Sequence, residues 1–160
     1  MRRQILVGLA AGVAFLVLDG LLNGNPVAQR LYVAYRPIAR SSVNALAGSL
    51  VDLAYGLVLA ALYVTLRGCL PGRRDLSKGV SFGAMVWFLR VVMRVAGEWV
   101  VTTVPVSAHV YSLVAGLIQM LLVAGVIALL LPERRPAADG TSGQAAGERR
   151  SEGDRHTVRR

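Results

Sequence analysis

One long apolar segment, residues 79–101, restricts the fold more than any other part of the chain. It is long enough to cross a bilayer as a helix, yet it contains Arg90, Arg94 and Glu98. These residues are four positions apart, so a helix places them in one row on one face. A charge in the middle of a membrane is costly, and such residues almost always face a protein interior or a water-filled cavity. The sequence therefore predicts a helical bundle that supplies partners for this row.

The composition is typical of a membrane protein with basic edges. Of the 160 residues, 54% are hydrophobic, and the mean hydropathy is +0.52. The net charge of +9 comes almost entirely from arginine, and the bases form short clusters between apolar blocks. The sequence has no long basic helix and no basic patch interleaved with aromatic residues, so we expect no nucleic-acid binding. Cys69 is the single cysteine, which excludes an internal disulfide and a cysteine-based zinc site.

Four apolar segments are long enough to span a bilayer, and we predict an all-α integral membrane protein built as a four-transmembrane-helix bundle. The expected spans are residues 5–22, 43–66, 80–104 and 110–131. Residues 26–36 are expected to form a short amphipathic helix in the interface, capped by Asn25 with Pro26 in its first turn, although an irregular loop fits equally well. A basic start before an apolar run also fits a signal peptide. No cleavage pattern follows, however, so we expect this segment to be retained as the first span.

The chain divides into a transmembrane domain, residues 1–132, and a C-terminal tail, residues 133–160. Val158 is the only large aliphatic residue of the tail, so we expect the tail to be disordered. Lysine and arginine are concentrated on one side of the four-span topology, which by the positive-inside rule places both termini in the cytoplasm. Heavy use of Arg, Ala, Val and Gly is typical of a GC-rich bacterial genome. The expected location is therefore the bacterial inner membrane.

The spans also show signs of an internal repeat. The displacement that aligns Gly8 with Gly79 also aligns Gly12 with Gly83 and Asp19 with Arg90. The second and fourth spans match more loosely, with Ala47-Gly48 resembling Ala115-Gly116 and Asp52 one residue out of register with Gln119. We interpret the pattern as two tandem helical hairpins related by an axis along the membrane normal. The alternative is a chance alignment of residues that are common in membrane helices.

Small residues in the spans predict where helices approach closely. The G-x-x-x-G spacings of the first and third spans suggest that these two helices contact each other, within one chain or between two chains. A second stripe of small residues surrounds Asp52 and predicts another packed interface. The glycines assigned to helix packing are Gly8, Gly12, Gly48, Gly56, Gly79 and Gly83.

The polar side chains of the spans fall at similar depths when a rise of about 1.5 Å per residue is assumed. We predict one intramembrane cluster in the middle and outer half of the bundle, composed of Asp19, Asp52, Arg90, Arg94, Glu98 and Gln119. The depths favour two ion pairs, Asp19 with Arg94 and Asp52 with Arg90. Glu98 could extend the row, share Arg94, or meet His109 or water. Three acids face two arginines, which leaves one acid unmatched.

No enzyme pattern occurs in the sequence: G-x-S-x-G, H-E-x-x-H and the P-loop are absent, as is a cluster of histidines and acids that would hold a metal. We therefore expect no catalytic activity, no cofactor and no metal. One hypothesis is a transporter or permease-like protein for a small solute or a proton. The other is a non-catalytic interaction or accessory protein whose buried ion pairs are structural. Expected partners are the bilayer, anionic lipid headgroups that meet the basic loops and tail, and a second copy of the chain or another membrane protein.

Overall fold

The computed structural model describes residues 2–36 and 44–132, and helices make up nearly all of this part. The α-helices, in chain order, are α1 Arg2–Gly24, α2 Pro26–Tyr32, α3 Ala45–Leu66, α4 Asp75–Trp87, α5 Met93–Val101 and α6 Val106–Leu130. A 3-10 turn, Val33–Tyr35, follows α2, and a π-helical turn, Phe88–Val92, joins α4 to α5. No strand occurs in the described residues, so the prediction of an all-α fold is confirmed.

Four stretches are long and apolar enough to cross a membrane, as predicted. They are Arg2–Gly24, Ala45–Leu66, Asp75–Val101 and Val106–Leu130. The largest difference from the expected bounds is in the third span, which begins at Asp75 and so includes residues that we expected in a loop. Asp75 lies in the first turn of α4, where its negative carboxylate interacts favourably with the positive N-terminal end of the helix dipole. The tail, for which we expected disorder, lies outside the described residues.

The short helix α2 follows from its capping sequence. The Asn25 side-chain oxygen accepts hydrogen bonds from the backbone N–H groups of Val27 and Ala28, each at 3.0 Å, and Pro26 occupies the first turn. Ala28 is fully buried, because α2 folds back onto α1 and α6. The expected short helix is therefore present, with its last turn in 3-10 geometry. Its position in the membrane interface stays a prediction.

The first hairpin, α1 with α3, is held together by glycine. A Cβ atom added to Gly56 would lie 2.6 Å from the Gly8 oxygen and closer still to the Gly12 nitrogen, so the two backbones touch directly. Each additional side-chain atom at this point would force the helices apart, which is why small residues are favoured at close helix crossings. Gly48, in contrast, has no heavy atom within 4 Å of an added Cβ. The packing role expected of Gly48 within the chain is therefore wrong.

The second hairpin pairs the third span with α6, and glycines again allow the two helices to approach closely. An added Cβ on Gly79 would lie 2.7 Å from the Ala128 Cβ, and one on Gly83 would lie 3.0 Å from the Ala124 Cβ. The glycines of each odd-numbered span thus contact the span that follows it in the chain. The expected contact through these glycines between the first and third helices is wrong within one chain, because short connections make consecutive antiparallel spans the nearest neighbours.

The two hairpins use equivalent contacts. The facing pairs are Gly8 with Leu57, Gly79 with Ala128, Gly12 with Leu53, and Gly83 with Ala124. The displacement that carries Gly8 to Gly79 also carries Leu57 to Ala128. The same displacement carries Gly12 to Gly83 and Leu53 to Ala124. This is the displacement at which the first and third spans align in sequence. The displacement that relates these contacts carries Asp52 to Val123. Asp52 and Gln119 therefore do not occupy equivalent positions in the two hairpins.

The hairpins join around α6, which packs on α1 as well as on the third span. The largest fully buried side chains of the described residues are Phe15, Tyr63, Phe82, Met120, Val123 and Ile127. Tyr63 and Phe82 meet edge to face with ring centroids 5.4 Å apart, which links α3 to α4. Together these side chains fill the half of the bundle next to the N-terminus and the α3–α4 connection. The other half holds the polar residues.

Candidate binding cleft

A cleft of about 600 Å³ lies in the half of the bundle that carries α2 and the α5–α6 connection. Its walls come from α1, α2, the 3-10 turn, the π-helical turn, α5 and α6. Three charged side chains line it: Asp19, Arg90 and Arg94. The other polar side chains of its lining are Asn23, Gln29, Tyr32, Tyr35, Ser112 and Gln119. Four of the six residues predicted for the intramembrane cluster are therefore brought to one cavity.

Asp19 is held on the α1 wall by neutral donors. The Asn23 amide donates to the Asp19 carboxylate at 2.9 Å, and the Gln119 amide approaches the same carboxylate oxygen at 3.4 Å. Gln119 is 7% exposed and also approaches the Phe15 carbonyl oxygen at 3.4 Å, so it ties α6 to α1 at this level. In the described part of the chain, no arginine or lysine nitrogen lies within 4.0 Å of Asp19. Its charge is therefore hydrogen-bonded without being neutralised.

Arg90 lies in the π-helical turn, at the base of the cleft. Its guanidinium carbon is 4.1 Å from the centroid of the Tyr55 ring and 4.8 Å from that of the Phe15 ring. The guanidinium thus links three spans by cation–π contacts, which gain strength where water is excluded. Its N–H groups donate to no protein acceptor among the described residues. A π-turn adds a residue to a helical turn and often marks a functional position in a helix.

Arg94 and Glu98 form an ion pair on one helix at the rim of the cleft. The Arg94 nitrogen and the Glu98 oxygen are 3.6 Å apart, and the side chain of Arg94 is 58% exposed. The Tyr35 hydroxyl donates to the other Glu98 oxygen at 3.2 Å, which ties the 3-10 turn to α5. Burial and the Glu98 carboxylate raise the pKa of Tyr35 above its ordinary value. Of the predicted row of Arg90, Arg94 and Glu98, the structure brings Arg94 and Glu98 together, which was one of the alternatives for Glu98.

The two ion pairs expected between spans are wrong. Neither Asp19 with Arg94 nor Asp52 with Arg90 approaches within 4.0 Å in the structure. The depth estimate gave height along each helix, and it did not give the direction of each side chain around the helix. Arg90 is directed to aromatic rings, and Arg94 to the acid one turn further along its own helix. Asp52 is half-buried and within electrostatic range of both Asp19 and Arg90, but it does not line the cleft.

Tyrosines form the wall contributed by α2, and sequence reasoning did not assign them to the site. The Tyr32 hydroxyl donates to the Asn23 side-chain oxygen at 2.8 Å, and its ring lies edge to face with those of Tyr35 and Tyr111. Burial raises the pKa of Tyr32. The Tyr111 hydroxyl donates to the Leu22 carbonyl oxygen and so anchors α6 to the end of α1. Asn23 follows Asp19 by four positions, and that spacing was the available sequence signal for this network.

His109 is a further buried polar group near the same end of the bundle. It is 4% exposed, and neither ring nitrogen has a hydrogen-bond partner among the described residues. A contact between His109 and Glu98, one of the alternatives for Glu98, is not formed. His109, Ser112 and Gln119 follow one another at helical spacing on the buried face of α6.

Comparison with known proteins found no matching family model, no similar curated protein and no similar solved structure. An acid and two arginines reach one cavity, and charge-assisted hydrogen bonds to such groups are about twice as strong as neutral ones. The arrangement is suited to binding a small polar or charged molecule inside the bundle.

Proposed function

We propose that this protein is a small permease-like transporter that carries a small polar solute, or a proton coupled to it, across the membrane. The observation that carries the proposal is the one-sided form of the bundle: a charged cleft occupies one half, and a buried apolar core closes the other. A transporter in one of its end states has a site near the midplane that is open to one side and closed to the other. Arg90, about midway along its span, provides the charge at the base of that site.

The polarity of the cleft supports a solute-binding role over a purely structural one. A lock between spans would direct opposite charges at each other, because an unpaired buried charge is destabilising. Here Asp19 is bonded by amides, and Arg94 pairs within its own helix, so neither charge holds two spans together by an ion pair. Charged residues inside a membrane that line a cavity are typical of substrate and ion pathways.

Flux through proteoliposomes tests this proposal. The purified full chain is reconstituted with a pH-sensitive dye inside the vesicles, and a panel of small amines, acids, amino acids and sugars is added outside. We expect at least one class to drive proton or solute movement that is lost in Asp19→Asn. Arg73→Gln, an exposed change in the α3–α4 connection at the opposite end, is the matched control and should leave the flux intact. Equal flux in empty vesicles and in wild-type vesicles for every class would refute the transporter function.

An accessory protein without transport is the second candidate, and the Arg90 contacts favour it. The guanidinium lies over the rings of Phe15 and Tyr55 and so joins three spans without any ligand. In that case the protein would act through a partner membrane protein or a second copy of itself. A partner that co-purifies in stoichiometric amount, together with no flux, would select this candidate.

The proposed location is the bacterial inner membrane with both termini in the cytoplasm. The basis is the base count of the loops, since arginines and lysine flank the N-terminus and the α3–α4 connection. The same bases would lie at the level of anionic lipid headgroups. Reporter fusions after Gly72 and Leu131 should then read cytoplasmic, and a fusion near Ser41 should read external. An external reading after Leu131 would contradict the topology.

A further inference from the structure

Building on the permease function above, we propose that the solute is a short zwitterion whose ammonium group binds Asp19 and whose carboxylate binds Arg90. Both side chains line the same cleft, and each lacks a partner of opposite charge within 4.0 Å among the described residues. A zwitterion supplies both partners in one molecule. A simple cation would satisfy Asp19 and be repelled by two arginines, while a simple anion would satisfy Arg90 and be repelled by Asp19.

The ammonium end of the site is formed around Asp19. The Asn23 and Gln119 amides already donate to one oxygen of this carboxylate, so the carboxylate is oriented before any ligand arrives. Amide donors leave the negative charge in place, because they are neutral. An ammonium group brings three N–H donors and a positive charge, and it would complete the bonding of a carboxylate in a poorly hydrated cleft.

The carboxylate end is formed around Arg90. Its guanidinium carbon lies over the rings of Phe15 and Tyr55, whose centroids are 5.3 Å apart, so both rings flank the group on one side and leave its other side open. Its N–H groups find no protein acceptor in the described residues, so they are available to a planar carboxylate, which accepts two parallel hydrogen bonds from the guanidinium fork. Arg94 is less suited to this role, since its guanidinium already pairs with Glu98.

The two ends are a short distance apart. Phe15, on which Arg90 stacks, precedes Asp19 by one helical turn, or about 6 Å along α1. The ligand that fits between Asp19 and Arg90 therefore has its two charged groups separated by only a few bonds, as in an α-, β- or γ-amino acid.

Binding of matched probes tests the charge requirement. The full chain in lipid nanodiscs is titrated with glycine, β-alanine and γ-aminobutyrate, and with butyrate and butylamine, which carry one charge each. We expect at least one zwitterion to bind about tenfold or more tightly than both single-charge probes, because each lost charge-assisted hydrogen bond reduces affinity by about that factor. Equal affinity for a zwitterion and for either single-charge probe would overturn the inference.

Two substitutions assign the ends. Asp19→Asn should reduce the preference for γ-aminobutyrate over butyrate to about onefold, and Arg90→Gln should do the same for its preference over butylamine. Arg73→Gln should keep both preferences. If Arg90→Gln does not fold, Arg90→Lys keeps the charge without the planar fork, and it should retain a reduced preference. An unchanged preference in Asp19→Asn would overturn the assignment of the ammonium end.

Failure of this inference is distinguishable from failure of the proposed function. Flux of a single-charge solute that depends on Asp19, with no binding of any zwitterion, would refute the zwitterion and leave the permease intact. Absence of both binding and flux for every probe would refute the two together.

Discussion

Gly56→Ala would place a methyl group directly against the backbone of α1. The new Cβ would lie 2.6 Å from the Gly8 oxygen, and closer still to the nitrogen and the Cα of Gly12. Non-bonded carbon atoms pack at about 3.5–4.0 Å, so α1 and α3 must separate by about 1 Å or more. None of the obstructing atoms belongs to a flexible side chain that could turn away.

The expected loss in the free energy of unfolding is about 1–3 kcal/mol, the usual range for overpacking a tight contact. Gly48→Ala is the matched control, because it makes the same change eight positions earlier in α3 and an added Cβ there meets no atom within 4 Å. Its effect should lie within about 0.5 kcal/mol of zero. Helix propensity contributes little to either value, since spanning helices persist in the denatured state within a membrane or micelle.

Unfolding by sodium dodecyl sulfate in mixed micelles gives both values. Tryptophan fluorescence reports the transition, because Trp87 donates to the Leu113 carbonyl at 2.9 Å and so bridges the third span and α6. Gly83→Ala should be milder than Gly56→Ala, since its added Cβ lies no closer than 3.0 Å to any atom. Equal stabilities for Gly56→Ala and Gly48→Ala would refute the packing of the first hairpin.

Two further predictions concern the polar half of the bundle. Arg90→Gln and Tyr55→Leu should be coupled by about 0.5–2 kcal/mol in a double-mutant cycle, because each removes the same cation–π contact, whereas the cycle that joins Asp19 and Arg94 should be close to additive. The raised pKa of Tyr35 favours its neutral form in the folded protein, so the contribution of this residue to stability is lost as the pH rises above about 10. Between about pH 9 and about pH 11, the melting temperature of Tyr35→Phe should therefore fall by less than that of the wild type. An identical fall in both proteins would contradict the raised pKa of Tyr35.

The helices could be predicted from the sequence because they depend on local properties. Apolar length identified the four spans, and the Asn25-Pro26 pair identified the start of α2. The glycine spacings correctly indicated close packing at Gly8, Gly12, Gly56, Gly79 and Gly83. The choice of partner span is a tertiary property that a spacing does not contain, and for this reason the predicted contact between the first and third helices failed.

The contacts of the charges could be predicted only in part. Height along a helix follows from counting residues, and it correctly brought Asp19, Arg90, Arg94 and Gln119 to one region. The direction of a side chain depends on the local winding, and no residue in Phe88–Val92 signals a π-turn. The stacking of Arg90 on two rings also required knowing which faces of α1 and α3 meet. Counting residues along ideal α-helices therefore predicted which charged residues share the cleft, but it predicted the wrong ion pairs.

The repeated hairpins explain why Asp19 and Arg90 share a cleft without pairing. They are equivalent positions at the sequence displacement that also relates the glycine contacts of the two hairpins. Asp19 lines the cleft from α1 and Arg90 lines it from the π-helical turn of the third span, so the two charges lie on different helices. The glycines hold α3 against α1 and α6 against the third span, and the Phe15–Arg90 contact joins α1 to the third span. The space beside these contacts is the cleft, and an acid and a base line it from two different helices.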